Sequence, residues 1–291
     1  MSPSPRGNAA SGLLDPDEPP AFEVVNAQGA GSAVLVCDHA SNRIPRRLGS
    51  LGLAPEQLAD HIGWDPGAAE VAQRLSAHLD APLVLSGYSR LVIDCNRPLA
   101  NRASIAEQSA GVPVPGNLGL TAQSRAVRVE ALFRSYHDAI DRLLDARSHR
   151  PSLLLSIHSF TPSLNGEQRP WPVGVSHWRD RRFAALMSTA LGHRVDGIVG
   201  DNQPYPIEEA IDYTVPVHGE GRGLHAVMIE IRNDGLRTTA QIDAWAERLA
   251  AAYREIEAEV VKLGSFPANI ERAHPRRRRE QDRSRSPDRP G

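Results

Sequence analysis

The stretch Leu153-Leu154-Leu155-Ser156-Ile157-His158-Ser159-Phe160 decides how the rest of the chain is read. An apolar run leads straight into a histidine flanked by small hydroxyls. A buried strand that ends on a histidine delivers the imidazole to the rim of a sheet, where open α/β enzymes keep their chemistry. Two other runs end in the same manner. Val34-Leu35-Val36-Cys37-Asp38 delivers His39, and Val227-Met228-Ile229 delivers Glu230. Between these strands lie helical patterns. One follows Asp65-Pro66-Gly67 with the stripe Ala69, Val71, Ala72, Leu75 and Leu79; others run from Thr121 to about Arg147, from Arg179 to Leu191 and from Thr239 to about Leu263. Strands that are apolar on both faces and alternate with helices predict an α/β fold, a mixed but mostly parallel central sheet flanked by helices. Pro82 to Leu85 and Leu91 to Ile93 read as two further strands with a hairpin-length turn between them, and Val173-Gly174-Val175 as a short one. Residues 98–120 read as a long surface loop and 200–225 as irregular.

The chain has 291 residues, 41% hydrophobic and 23% charged, enough for one well-filled domain. Residues 1–20 are rich in Pro, Ser, Gly and acid, contain no apolar signal segment, and are expected to be disordered. A catalytic domain is expected over 21–266, followed by a disordered Arg-rich tail, 267–291. The net charge of −2 hides an asymmetry, because the tail carries Arg276 to Arg279, Arg283, Arg285 and Arg289. The body is therefore acidic, which argues against nucleic acid as a partner. No apolar run is long enough to span a membrane. Two cysteines, Cys37 and Cys95, end strand-like runs and read as reduced thiols of a cytoplasmic protein.

His39 and His158 reach the same expected rim. One strand-end histidine is ordinarily satisfied by backbone; two together suit a divalent ion such as zinc. Catalytic zinc takes three protein ligands and keeps a position open, so a third ligand is required. Asn42 offers an amide oxygen. Asp65 offers a carboxylate, but it fits equally as the cap of the helix that follows. Glu230 reads either as an ion-pair partner of Arg232 or as a general base for water beside the open metal position. Arg97 is either a structural ion-pair partner or a planar guanidinium for a substrate carboxylate. Asp94 is placed to accept the second ring N–H of a histidine ligand.

In order and strand-end setting, His39-Ala40-Ser41-Asn42, Asp94-Cys95-Asn96-Arg97, Ser156-Ile157-His158-Ser159 and Ile229-Glu230-Ile231-Arg232 resemble the site motifs of zinc carboxypeptidase-like enzymes. The closer resemblance is to the N-formylglutamate amidohydrolase family. It is carried by Cys37 to Pro45, Trp64-Asp65-Pro66-Gly67-Ala68, Ser89 to Pro98, Ile157 to Phe160 and Ile229 to Asp234. This resemblance implies a zinc-peptidase-like α/β fold, a Zn2+ cofactor and a small N-acyl amino acid substrate, with the N-formyl or another N-acyl group cleaved from glutamate or a related amino acid. It implies His39 and His158 as metal ligands, Glu230 as general base, Asn96 and Arg97 as binders of the substrate carboxylate, and Asp94 behind a ligand. Asn42 stands where the carboxypeptidase pattern has glutamate; it is the expected third metal ligand with Asp65 behind the ligands, and Asp65 is the alternative third ligand. A glutamate substrate calls for a second cation, Arg43 or Arg90. His218, in Val217-His218-Gly219-Glu220, is a transition-state donor, an extra ligand or an exposed loop residue. Two rivals remain: a deacylase or carboxypeptidase-like hydrolase of another N-acyl amino acid or peptide, and a non-catalytic carboxylate-binding protein that has lost the metal.

Overall fold

A computed structural model describes residues 12–264. The expected disorder of 1–11 and of the tail 267–291 lies outside the described residues. Seven strands form one sheet: β1 (Phe22–Val25), β2 (Ala33–Cys37), β3 (Leu83–Ser86), β4 (Leu153–Phe160), β5 (Val173–Ser176), β6 (Gly200–Asp201) and β7 (Ala226–Arg232). Their order is β1-β3-β2-β4-β7-β5-β6. The four central strands β3, β2, β4 and β7 are parallel. β1 and β5 join them antiparallel, and β6 pairs parallel with β5. The mixed, mostly parallel α/β sheet expected from the sequence is what the chain forms. No helix among the described residues is long and apolar enough to cross a membrane.

Side chains alternate along a strand, so each central strand lays one row on each face. Leu35 and Cys37, Leu155 and Ile157, and Val227, Ile229 and Ile231 point to one face. There they meet helices α1 (Ala68–Leu79), α4 (Arg181–Gly192) and α5 (Thr239–Lys262). The opposite rows begin apolar, with Val34, Val36, Leu154, Ala226 and Met228 packed under Tyr136, Ala139, Ile140 and Leu144 of α3 (Ser135–Ala146). Toward the carboxyl ends of the strands these same rows turn polar, as Ser156 and His158 on β4 and Glu230 on β7. The site therefore lies on the α3 face, at the ends of adjacent parallel strands. The long helical pattern from Thr121 is α2 (Ala122–Arg128), a π turn over Val129–Arg134, and then α3.

Three local expectations are corrected. Leu91 to Ile93 form no strand: they are buried in a second apolar cluster with Val114, Leu132 and Phe133. The carbonyls of Leu91 and Val92 accept from the Asn117 amide at 2.8 Å and the Arg128 guanidinium at 3.0 Å instead of from a neighbouring strand. A short buried loop and a short buried strand have the same hydrophobic pattern. Packed chain also begins before Ala21, since Leu13 is buried, Tyr88 donates to the Pro19 carbonyl at 2.7 Å, and Asp15 and Glu18 bind Arg47 and Arg46. Finally, Asp65 does not cap α1 with its side chain. Gly67 is the cap residue at φ 80°, and a β-carbon there would strike Leu236.

Replacing Ile157 with alanine tests the two-faced strand, because it removes only side chain from the helix-covered row. The expected loss is about 2–5 kcal/mol in urea unfolding, with the site residues of the opposite face undisturbed. A loss below about 1 kcal/mol is incompatible with a close-packed face at that position.

Candidate active site

Asp65 is the centre of the cluster. It precedes α1, and its backbone N–H donates to the His39 carbonyl at 3.0 Å, which ties the β2 exit to the helix entrance. Its Oδ2 lies 3.3 Å from Nδ1 of His39 and 2.9 Å from Nδ1 of His158. The two rings meet edge-on with centroids 5.0 Å apart. Each imidazole is held on its other nitrogen by a second carboxylate: His39 Nε2 lies 2.8 Å from Asp94 Oδ1, and His158 Nε2 lies 3.1 Å from Asp38 Oδ2. Asp38 is fixed in turn by three further donors. Ser156 donates to Oδ2 at 2.9 Å, and Tyr136 and Thr214 donate to Oδ1 at 3.0 and 2.7 Å. Arg90 binds Asp94 Oδ2 through Nε and Nη2 at 3.2 and 2.7 Å, with Nη1 3.6 Å from Asp65 Oδ1.

Glu230 pairs in register with His158 across β4 and β7. It is buried, and its Oε2 has no hydrogen-bond partner. Burial pushes its carboxyl up to about 7; His158 pulls against this and the Asp65 charge adds to it. For His158 and His39 burial opposes charge. The hydrogen bonds to Asp38 and Asp65 nevertheless hold His158 well above the usual histidine range, and the charges of Asp94 and Asp65 raise His39. Asp38, Asp65 and Asp94 are all held below the usual carboxylate range despite burial, by the surrounding histidines and, at Asp94, foremost by Arg90.

The donor chemistry fits a divalent transition metal. His39, Asp65 and His158 present ligand atoms all within 4.8 Å of one another. Both rings have the carboxylate backing that orients metal-bound histidines. A buried carboxylate without a partner lies alongside. These residues could hold one metal ion and one water-derived nucleophile beside a base.

The structure brings together His39, His158, Asp65, Asp94, Arg90 and Glu230. Arg97 stands at the edge of this group, with Nε 3.9 Å from Asp94 Oδ2, and the remaining sequence candidates lie elsewhere. Among the described residues no hydrogen bond joins the half-buried Asn42 side chain to either histidine. Arg43 is exposed. Asn96 is a structural clamp: its Oδ1 accepts from the N–H groups of Tyr213 and Thr214 at 3.0 and 2.9 Å, and its Nδ2 faces Asp212 and Met228. No amide group of Asn96 is left for a substrate carboxylate. Arg97 commits Nη1 to the Ile211 carbonyl at 2.9 Å and to Asp212 at 3.3 Å. His218 is neither a loop residue in solvent nor a member of the cluster. It is fully buried and stacked on His137, with Nε2 2.9 Å from His137 Nδ1 and Nδ1 3.3 Å from Asp141 Oδ1. Arg232 does not pair with Glu230 but with Asp234 at 2.8 Å. Asp38 is a member of the cluster that is absent from the sequence candidates. Its signal was its position beside His39, at the end of a strand whose neighbours are all apolar.

Buried carboxylates surround two imidazoles at the carboxyl ends of parallel strands, and comparison of sequences places the chain among hydrolases acting on amides. The model for N-formylglutamate amidohydrolase matches residues 31–237. The chain belongs to that family. The crystal structure of a gene product from Agrobacterium tumefaciens is 37% identical and superposes with a TM-score of 0.80, over 84% of this chain and 99% of that one. The N-formylglutamate amidohydrolase of Ralstonia eutropha shares the fold at 17% identity and a TM-score of 0.63, over 84% and 99% of the two chains. A comparison with curated protein sequences finds no match.

The raised Glu230 carboxyl has a consequence for stability. The unfolded chain loses this proton near pH 4.5 and the folded chain only near 7, so the folded state binds more protons between these values and stability falls as pH rises through them. Glu230→Gln is therefore expected to stabilise metal-stripped protein by about 1–3 kcal/mol at pH 8 and by much less at pH 4.5, in urea unfolding. Equal effects at the two pH values are the result that rules out a raised carboxyl.

Proposed function

We propose that the chain is a zinc-dependent amidohydrolase that removes the formyl group from N-formylglutamate or a closely related N-acyl amino acid. The observation that carries this reading is the buried, unpartnered Glu230 carboxylate beside His39, Asp65 and His158. Those three residues would hold the ion through two imidazole nitrogens and a carboxylate oxygen. What a bound zinc ion supplies there is Lewis acidity toward the acyl carbonyl and toward water.

The protein's own groups do the rest. Asp94 and Asp38 hold the outer nitrogens of the two rings and so fix which ring nitrogen faces inward. Arg90, lying between Asp94 and Asp65, favours the ionised form of both. Glu230 Oε2 accepts a proton from the attacking water and returns it to the amide nitrogen as the C–N bond breaks, giving a carboxylic acid and a free amine. Burial, which raises this carboxyl, favours its taking up the proton, and the charge of a bound dication would favour its giving the proton back. Arg97 takes the amino acid α-carboxylate through N–H groups other than the committed Nη1. Cys37 and Cys95, both buried free thiols, fit a reducing, cytoplasmic setting. We place the catalytic unit at 21–266, together with the packed residues 12–20.

Steady-state rates of zinc-loaded protein on N-formyl-L-glutamate, N-acetyl-L-glutamate and a dipeptide test the substrate. The formyl compound is expected to be preferred, and preference for either of the others refutes that part of the reading. Glu230→Gln is expected to keep zinc and lose 10²–10⁴-fold in kcat. For the metal, Asp65→Ala is expected to weaken zinc at least about 100-fold in chelator competition and Asn42→Ala less than about 3-fold. Comparable losses would return Asn42 to the ligand set, and no zinc binding by the unmodified protein would favour a carboxylate-binding protein.

A further inference from the structure

N-formylglutamate carries two carboxylates, and Arg97 answers only one of them. The other sequence candidates do not supply a second cation: Arg43 is exposed, and Arg90 is balanced by Asp94 and Asp65. Arg169 is different. It is half-buried, and among the described residues no carboxylate lies within ion-pair distance of it. Its guanidinium carbon lies 4.8 Å from the ring centre of Tyr205 and 5.8 Å from that of Phe160. Its Nη1 makes a long contact, 3.4 Å, to the Thr161 hydroxyl, and the guanidinium also acts as a donor to the Tyr205 phenol.

Phe160 stands two residues beyond His158 on β4, so the two side chains share the site face. It is buried yet belongs to none of the three apolar clusters of the core. Tyr205 is brought to the same face by a close backbone approach. Glu230 pairs with Gly174 of β5, and a β-carbon on Gly174 would coincide with the Gln203 carbonyl oxygen. Only glycine lets residues 203–205 settle on the face from which the Glu230 side chain rises. Ser176 then holds the Tyr205 carbonyl at 2.7 Å. The Tyr205 phenol, on a residue 39% exposed, is raised by desolvation and by the charge of Glu230 and lowered by Arg169, which donates to it, and by Arg90. Seven residues further along the same loop, Asp212 meets Arg97. Arg169 is also held from behind. Its N–H donates to Pro162 at 2.8 Å, and its carbonyl accepts from Arg232 at 3.1 Å, while Arg232 is anchored on Asp234.

We propose that Arg169, stacked on Tyr205 and Phe160, is the specificity-determining cation that receives the side-chain carboxylate of an acidic N-acyl amino acid. This inference rests on the amidohydrolase reading and goes on to name the substrate class. A planar guanidinium laid on aromatic rings keeps its N–H edge free for a bidentate carboxylate. A neutral amide side chain gains only ordinary hydrogen bonds there, so the preference for acid over amide resides in one residue.

The test compares unmodified protein, Arg169→Gln and Arg169→Lys, all zinc-loaded, on N-formyl-L-glutamate and N-formyl-L-glutamine. Arg169→Gln is expected to raise KM for the glutamate compound about 30–100-fold with kcat changed less than about 3-fold, and to leave the glutamine compound within about 3-fold. Arg169→Lys, which keeps the charge but not the fork, is expected to recover part of the preference. An undiminished preference in Arg169→Gln overturns the proposal, as does an unmodified protein that does not discriminate between the two compounds. Titration calorimetry with L-glutamate and L-glutamine decides Arg169 without turnover. Weakened binding of glutamate alone in Arg169→Gln supports it, and unchanged binding overturns it. If the unmodified protein hydrolyses neither formyl compound, the formylglutamate reading fails and the calorimetric comparison still settles Arg169. Circular dichroism confirms folding; should Arg169→Gln unfold, Arg169→Met in the same assays takes its place.

Discussion

A single carboxylate oxygen, Asp65 Oδ2, stands against Nδ1 of both His39 and His158. The histidines come from different strands, and Asp65 comes from the segment entering α1, so this contact joins three chain segments at one point. It holds only because the backbone around it is fixed. The Asp65 N–H is bound to the His39 carbonyl, and Gly67 turns the chain into α1 through a left-handed conformation. The outer nitrogens face Asp94 and Asp38, which are in turn held by Arg90 on one side and by Ser156, Tyr136 and Thr214 on the other. Polar groups buried this deeply cost stability unless nearly all of them find partners. The network meets that condition everywhere except at Glu230 Oε2, the atom to which a proton-accepting role is assigned.

The sheet explains why this network can exist beside a hydrophobic core. Period-two alternation gives the odd rows of β2, β4 and β7 entirely to the helices behind them, while the even rows change from apolar to polar within a few residues. Ile157 and His158 are consecutive, yet one lies in the main core and the other in the site. A register slip of one residue would exchange them and bury the imidazole among leucines.

This alternation is also why so much was legible in the sequence. Apolar runs ending in His39, His158 and Glu230 gave both the sheet and the rim, because burial on both faces leaves a continuous apolar signature that polar site residues interrupt. Contacts that depend on the path of the loops were not legible. Nothing local distinguishes the Asp65 carboxylate aimed at two histidines from the same carboxylate capping its own helix. Asn96 and His218 carry donors and acceptors suited to a substrate, and only the positions of residues 212–214 and of His137 reveal that those atoms are already in use. The strand expected at Leu91 to Ile93 failed for the same reason, since its partners are side chains distant in sequence.

Charge counting ties the cluster to the chemistry assigned to it. Asp38, Asp65 and Asp94 are held ionised, Glu230 adds a fourth carboxylate, and Arg90 supplies one permanent positive charge. With both imidazoles neutral, as metal ligation requires, the set would stand near −3. Two imidazolium protons bring it to −1, and one divalent cation between neutral rings brings it to the same −1. The carboxylates that raise His39 and His158 are thus the ones that would favour exchange of two protons for a dication. The remaining negative charge falls where burial has made it hardest to keep, on Glu230. A proton accepted there from water leaves the cluster's total at −1 but moves that charge off the buried carboxylate and onto the hydroxide formed, which is what a base at this position has to do.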